Sequence, residues 1–259
     1  DVMQNHLLQI LALVAMERPL NINAENIHNA KADVLRHVQP LDLKDLLVGQ
    51  YIRGGAGEPG YLEETGVPVD SRTPTYAAAV LHLNTPRWQG VPFLMTAGKG
   101  LGASATEVRL HFRNVVEGCL QLPAHAGEPN NELIIRVQPD EQLKLRIVTK
   151  IPGIGMQLGT TELDLRFREK YAGLRIADAY ENLLLDIVRG DHSLFMRNDE
   201  LELAWDIFTP VLQNLEAQRI RPETYLFGGA APHALDALAT RHGISDARIF
   251  EESGSSAKD

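Results

Sequence analysis

The order of patterns along this chain predicts an α+β fold: a large, mostly antiparallel sheet with helices packed on one face and the other face left to water, a ligand or another subunit. Two observations carry this. Apolar residues recur at helical spacing near both ends of the chain, whereas from Thr75 to about Arg168 the period becomes two. Few helical patterns interrupt the alternating segments, so neighbouring strands can pair antiparallel without crossover helices.

The opening stretch DVMQNHLLQILALVAMERP reads as a helix. Leu7, Leu8, Ile10, Leu11, Leu13, Val14 and Met16 make it apolar nearly all round, the pattern of a helix between two layers. Asp1, Asn5 and His6 are its polar exceptions. Asp1 and Asn5 share a face at i, i+4, with His6 about 100° further round. No methionine or cap precedes the helix, so it is expected to begin earlier in a longer chain. A second helix follows Asn23, a good N-cap, with Ile27, Ala30, Val34, Leu35 and Val38 on one stripe, and Pro40 helps to end it. RGGAGEPGYLEETGVPVDSRTP is a long surface loop by its Gly, Pro and acidic content.

Six β-rich segments come next: TYAAAVLHLN, GVPFLMTA, TEVRLHFRN, ELIIRVQ, QLKLRIVTK and TELDLRFR. Val108, Leu110 and Phe112 alternate with Arg109 and His111. Leu143, Leu145 and Ile147 alternate with Lys144 and Arg146, and Leu163, Leu165 and Phe167 with Asp164 and Arg166. The basic face should meet water, a ligand or another subunit. DAYENLLLDIVRG, capped by Asp178, returns to helix, as does NDELELAWDIFTPVLQNLEAQ, which Pro210 should kink or split. APHALDALATRHG closes at Gly243, and residues 244–259 read as a disordered tail.

Composition bounds the function. The net charge of −9 argues against a general nucleic-acid or anionic-membrane surface. A single cysteine, Cys119, allows no intrachain disulfide. Glu17 and Arg18 cut the opening apolar run short of a membrane span, and the start lacks a signal peptide's basic region. The nine histidines are scattered without HxxxH or HxxEH spacing, so no metal site is expected.

Spacing alone leaves two candidate sites open. His6 has no carboxylate on its own helix face to orient it as a general base, and on spacing alone reads first as a hydrogen-bonded boundary histidine. TAGKGLGASATEVRL gathers glycines around Lys99, suited to an anionic or hydroxylated ligand or to an inert turn. It is not a P-loop, since GKG lacks the following Ser or Thr, and no GxGxxG follows a strand.

Taken together, DVMQNHLLQ, TPTYAAAVLHL, RWQGVPF, GK-x-L, ELIIRVQPDE, DAYENLLLD and DELELAWDIFTPVL, in that order, resemble glucose-6-phosphate dehydrogenase. The resemblance runs from Asp1 to about Gly243 and covers the C-terminal, substrate and dimerisation domain, with a flavour closest to plastid-type plant and algal enzymes. It implies that His6 is the catalytic base, that Asp1 holds sugar hydroxyls, and that Lys99 and Gln138 contact the substrate. The reaction implied is oxidation of glucose 6-phosphate to 6-phosphogluconolactone with NADP, the first step of the oxidative pentose phosphate pathway. It further implies a homodimer or homotetramer, with a heteromer as an alternative, and a plastid stroma or cytoplasmic location. The dinucleotide-binding domain is expected to precede Asp1, and this portion alone to be inactive.

Arg109, Arg136, Arg146 and Asp164 match positions near a second, structural NADP in some members. Thr96, Ala105 and Ala230 stand where basic residues are common there, so a solvated face or interface ion pairs compete as the reading. Ser104 stands where a substrate-side arginine is usual, removing a planar, permanently charged donor. That departure opens the alternative of a catalytically weakened paralogue acting as a structural or regulatory partner subunit.

Overall fold

The computed structural model describes residues 1–113, 131–155, 157–175 and 177–244. Cys119 and the tail beyond residue 244 lie outside them. The chain divides into two compact units, Asp1–Ala103 with Ala179–Asp259, and Ser104–Asp178.

The first unit is built on a four-stranded sheet ordered β3-β2-β1-β8. Its strands are β1 (Leu46–Ile52), β2 (Tyr76–His82), β3 (Pro92–Gly98) and β8 (Glu223–Leu226). β1–β2 and β2–β3 pair antiparallel, whereas β8 runs parallel to β1 with Tyr225 opposite Tyr51. Its helices are α1 (Leu8–Ala15), α2 (Ala24–Arg36), α4 (Ala179–Arg189), α5 (Asn198–Ala217) and α6 (Ala234–Arg241). A π-helical turn, Val2–Leu7, runs straight into α1.

Both faces of this sheet are covered, which is why YAAAVL is apolar without alternation. Ala79 and Leu81 of β2 meet Leu8, Leu11 and Ala12 of α1, Leu35 of α2, and Ala204, Phe208 and Val211 of α5. On the other side Ala78 and Val80 meet Tyr51, Tyr76, Tyr225 and Leu235 and Leu238 of α6. Local signals hold where they were strongest. The Asn23 side chain accepts from Asn26 N–H at 2.9 Å and starts α2. Gly243 takes φ +71° after α6, and Ile244 N–H reaches back to the Ala239 carbonyl at 2.9 Å, the paired closure of a Schellman ending. α5 runs unbroken through Pro210; the Asp206 carbonyl that loses its donor belongs to an exposed residue, where water can serve it. The long loop after Ile52 is pinned to β1, since the Gln50 amide donates to the carbonyls of Ser71 (3.1 Å) and Thr73 (3.0 Å).

The second unit is an antiparallel meander, β4-β5-β6-β7. It comprises β4 (Thr106–His111), β5 (Glu132–Gln138), β6 (Gln142–Lys150) and β7 (Leu158–Arg166), closed by the single-turn α3 (Phe167–Lys170). The period-two reading holds in register: Leu143 lies opposite Leu165, and Lys144 opposite Asp164. The antiparallel strands thus form two sheets of four rather than one continuous surface. Among the described residues β3 and β4 share no ladder, because the glycine-rich segment after β3 bonds instead to residues 228 and 229.

Candidate functional site

The first site element is the π-turn. It widens the opening turn of the helix, so the side chains ahead of Leu8 are rotated out of register with those of α1. Met3 and Leu7 pack on the core, and Gln4 is buried. Asp1 and His6 are left exposed. Asn5 ties the turn to its own start: its N–H donates to the Asp1 carbonyl at 2.9 Å and its side-chain amide to Asp1 Oδ1 at 3.4 Å. The helix expected between two layers is covered on one side only. Leu8, Leu11, Ala12 and Ala15 face inward, while Leu13 is 52% exposed. The turn packs against β3 and α5, and β3 is the strand that leads into Lys99.

Lys99 sits on an exposed turn whose backbone is clamped. Its N–H donates to the Thr75 carbonyl at 2.9 Å, and its carbonyl accepts from the Tyr225 hydroxyl at 2.7 Å. The Gly100 carbonyl accepts from Gly228 N–H at 2.7 Å, and Gly102 N–H donates to the Gly229 carbonyl at 2.9 Å. Gly100 adopts φ +58°, and a Cβ there would lie 2.6 Å from Phe227 Cδ2. Glycine is therefore required on two grounds. Below the turn Tyr51, Tyr61, Tyr76, Tyr225 and Phe227 form edge-to-face contacts. Burial pushes the Tyr225 hydroxyl up. Burial, with the 2.6 Å hydrogen bond to Glu64, pushes Tyr51 up to about 12.

Between α1, α2 and α5 lies a charged cluster that the sequence did not suggest. Glu200 of α5 is fully buried; Lys31 Nζ lies 2.8 Å from one oxygen and His28 Nδ1 2.6 Å from the other. His28 Nε2 reaches the His192 carbonyl at 2.9 Å, and Lys31 donates to Gln9 Oε1 at 3.2 Å. The cluster thereby joins α1, α2, α5 and the loop ahead of α5.

In the second unit Gln138 ends β5 and is exposed. Arg109, Arg136, Arg146 and Asp164 do come together on one sheet face, as alternation requires, but with carboxylates interleaved. Arg109 lies 2.8 Å from Glu107 and 3.6 Å from Glu132, Arg136 3.4 Å from Glu107, and Arg146 3.2 Å from Glu132 and 3.1 Å from Glu162. Hydrogen bonds from Gln142 and then Arg166 hold the Asp164 carboxyl below its ordinary range. Burial alone would raise Glu162, but hydrogen bonds from Lys144 and Arg146 bring it below its usual value. A nucleotide phosphate arriving here would have to displace carboxylates already paired with all three arginines. The face is an ion-pair ladder and does not fit a preformed phosphate cradle. Among the described residues no group of three or more His, Cys, Asp or Glu is placed to hold a metal ion. No described helix is long and apolar enough to cross a membrane.

Comparison with known proteins establishes the family. The family described as "Glucose-6-phosphate dehydrogenase, C-terminal domain" matches residues 1–247. The chain belongs to this family. Among relatives of the glucose-6-phosphate dehydrogenase C-terminal domain, glucose-6-phosphate 1-dehydrogenase of Dictyostelium discoideum is 46% identical over 245 residues, covering 94% of this chain and 49% of its own length. The chloroplastic glucose-6-phosphate 1-dehydrogenase 1 of Arabidopsis thaliana is 48% identical over 249 residues, covering 94% of this chain and 43% of its own length. A solved glucose-6-phosphate dehydrogenase in complex with glucose 6-phosphate superposes with a TM-score of 0.88 at 42% identity, over 96% of this chain and 51% of that one. The Mycobacterium avium enzyme superposes with a TM-score of 0.76 at 36% identity, over 93% of this chain and 48% of its own. The chain thus spans about half the length of the relatives it matches. The α+β class and the plastid-type flavour agree with these relatives. The i, i+4 pairing of Asn5 with Asp1 was legible in the sequence and is made, whereas Tyr225 was missed because it lies in a four-residue strand too short to read.

Proposed function

We propose that this chain is the substrate side of a glucose-6-phosphate dehydrogenase, which oxidises glucose 6-phosphate to 6-phosphogluconolactone at the entry to the oxidative pentose phosphate pathway. The observation that supports this best is that Asp1 and His6 are exposed on a π-turn, Val2–Leu7, seated against the strand that leads into Lys99, in a chain matching the family over residues 1–247. NADP, when bound, accepts hydride from C1 of the sugar. His6 takes the proton from the C1 hydroxyl as that hydride departs, so that C1 becomes the lactone carbonyl. An imidazole suits the task because its ordinary pKa lies near neutrality. Asp1, held by Asn5, accepts hydrogen bonds from sugar hydroxyls. Lys99 offers an ammonium to the substrate's oxygens from a fixed turn, and Gln138 an amide. The partner is a second copy, as a homodimer or homotetramer, and the compartment the plastid stroma or the cytoplasm.

Steady-state NADP reduction by the full-length enzyme containing this chain, beside a His6→Asn variant, tests the reading. A positioned general base contributes about 10²–10⁴-fold, so the variant should lose that much in kcat. Retained activity in the variant refutes His6 as base. Ser104, exposed where the resemblance expects an arginine, supports the second reading of a weakened partner subunit. A folded, assembled, inactive parent would establish that reading instead.

A further inference from the structure

We propose that Tyr225 is a positioning residue for Lys99, acting through its hydroxyl on the backbone of the lysine turn. The inference rests on the reading of Lys99 as a substrate contact. Tyr225 is 4% exposed, and its ring is wedged edge-to-face between Tyr51 and Tyr76 at 6.2 and 5.8 Å, which fixes where the hydroxyl points. Three groups converge on that oxygen: Thr75 Oγ1 at 2.8 Å, the Lys99 carbonyl at 2.7 Å and the Thr75 carbonyl at 3.2 Å.

Proton bookkeeping gives the direction of the relay. Tyr51 N–H donates to Thr75 Oγ1 at 3.0 Å. The carbonyls can only accept, so they are served only when the tyrosine spends its one proton on a carbonyl, and Lys99 is the nearer. Thr75 Oγ1 then donates its own proton to the tyrosine oxygen. The relay runs from β1 through Thr75 and Tyr225 to Lys99, while Lys99 N–H returns to the Thr75 carbonyl at 2.9 Å. Both backbone groups of Lys99 are thereby held by buried partners, leaving its exposed side chain to search from a fixed root. With Phe in place of Tyr225 the ring packing stays. The Lys99 carbonyl and the Thr75 proton lose their partner, and the turn shifts to find others.

A residue acting only on stability would change the amount of folded enzyme and leave KM alone. A residue that aims Lys99 changes affinity for substrate. In the full-length enzyme, Tyr225→Phe should raise KM for glucose 6-phosphate about tenfold, with kcat within about twofold and KM for NADP unchanged. Lys99→Ala should raise the same KM, and the double variant should be no worse than Lys99→Ala alone. Thr75→Val, which leaves the tyrosine in place, should show the same split in smaller measure and carries the test if Tyr225→Phe fails to fold. A KM effect of Lys99→Ala with none from Tyr225→Phe (or, failing that, Thr75→Val), or full additivity in the double variant, overturns the proposal alone. No KM effect from Lys99→Ala overturns the reading of Lys99, and the proposal with it.

Discussion

Replacing Glu200 by glutamine changes one buried charge and almost no volume, so it isolates the electrostatics of the cluster between α1, α2 and α5. Glu200 has no exposure, and its partners Lys31 and His28 have side chains only 5% and 8% exposed, at 2.8 and 2.6 Å. The amide leaves no cavity. It does leave the Lys31 ammonium facing neutral oxygens, those of the new amide and of Gln9. Removing one partner of a buried pair costs about 3–5 kcal/mol. For a domain of this size that lowers the melting temperature by about 6–20 °C. Exposed Glu17 supplies the control. It grips Arg87 with two bonds of 2.7 and 2.6 Å, yet the two side chains are 64% and 57% exposed. Glu17→Gln should therefore cost no more than about 1 kcal/mol. Thermal and urea melts of the full-length enzyme compare the two. Adding Lys31→Met and His28→Leu to a Glu200→Leu variant should recover much of the loss, because apolar side chains of similar volume need no partner. If Glu200→Gln melts with Glu17→Gln, the cluster is not an energetically coupled unit and the argument fails.

Gly100→Ala should destabilise by about 2–4 kcal/mol, from a left-handed backbone and a methyl group driven into Phe227, with glucose 6-phosphate affinity falling alongside; a melt and a KM measurement check both. The Asp164 carboxyl sits lower in the folded state than in the unfolded chain, so the unfolded state binds more protons as the pH falls. Its contribution is present above about pH 4 and lost on further acidification, and Asp164→Asn should flatten the acid limb of a melting-temperature profile below that pH. Because Arg109, Arg136 and Arg146 are already matched by carboxylates, equilibrium titration should find one NADP per full-length subunit. A second equivalent that disappears in Arg146→Ala would refute the ion-pair reading of that face.

What could be read from the sequence was what short-range physics writes there. β-rich composition and, in β4, β6 and β7, alternation marked the strands β2 to β7, and Asn23 and Gly243 marked helix ends; which side of the meander is covered was not legible, since Leu163 is 58% exposed while the Arg109 side chain on the charged face is 8% exposed. The misses share one cause. β1 reads LLVGQYI without clean alternation because both its faces are covered, and β8 has four residues whose only reason to be extended is a parallel partner far back in the chain. Nothing local to α2 marks His28 and Lys31 as buried, since the residue that pairs with them is 172 positions from His28. The π-turn escaped notice because VMQNHL carries no mark distinguishing it from ordinary helix. The division into two sheets depends on where the backbone of residues 100–102 finds its partners, at 228 and 229.

The discontinuity of the first unit has a price during synthesis. Its core joins Leu8, Leu11 and Leu35 to Phe208 and Val211, and its sheet needs β8 as an edge, yet the whole of Ser104–Asp178 is made in between. At about 5–20 residues per second the opening helices and β1–β3 wait several seconds to about twenty seconds for the segment that covers them. During that interval Leu8, Leu11, Phe93 and Leu81 form an apolar surface on the nascent chain, with β1 as an open edge. The meander, whose strand pairs are all local, can close while the unit whose sequence flanks it is still incomplete. A chaperone bound at the ribosome should therefore meet this chain through its first hundred residues and release it only after α5 and β8 have emerged.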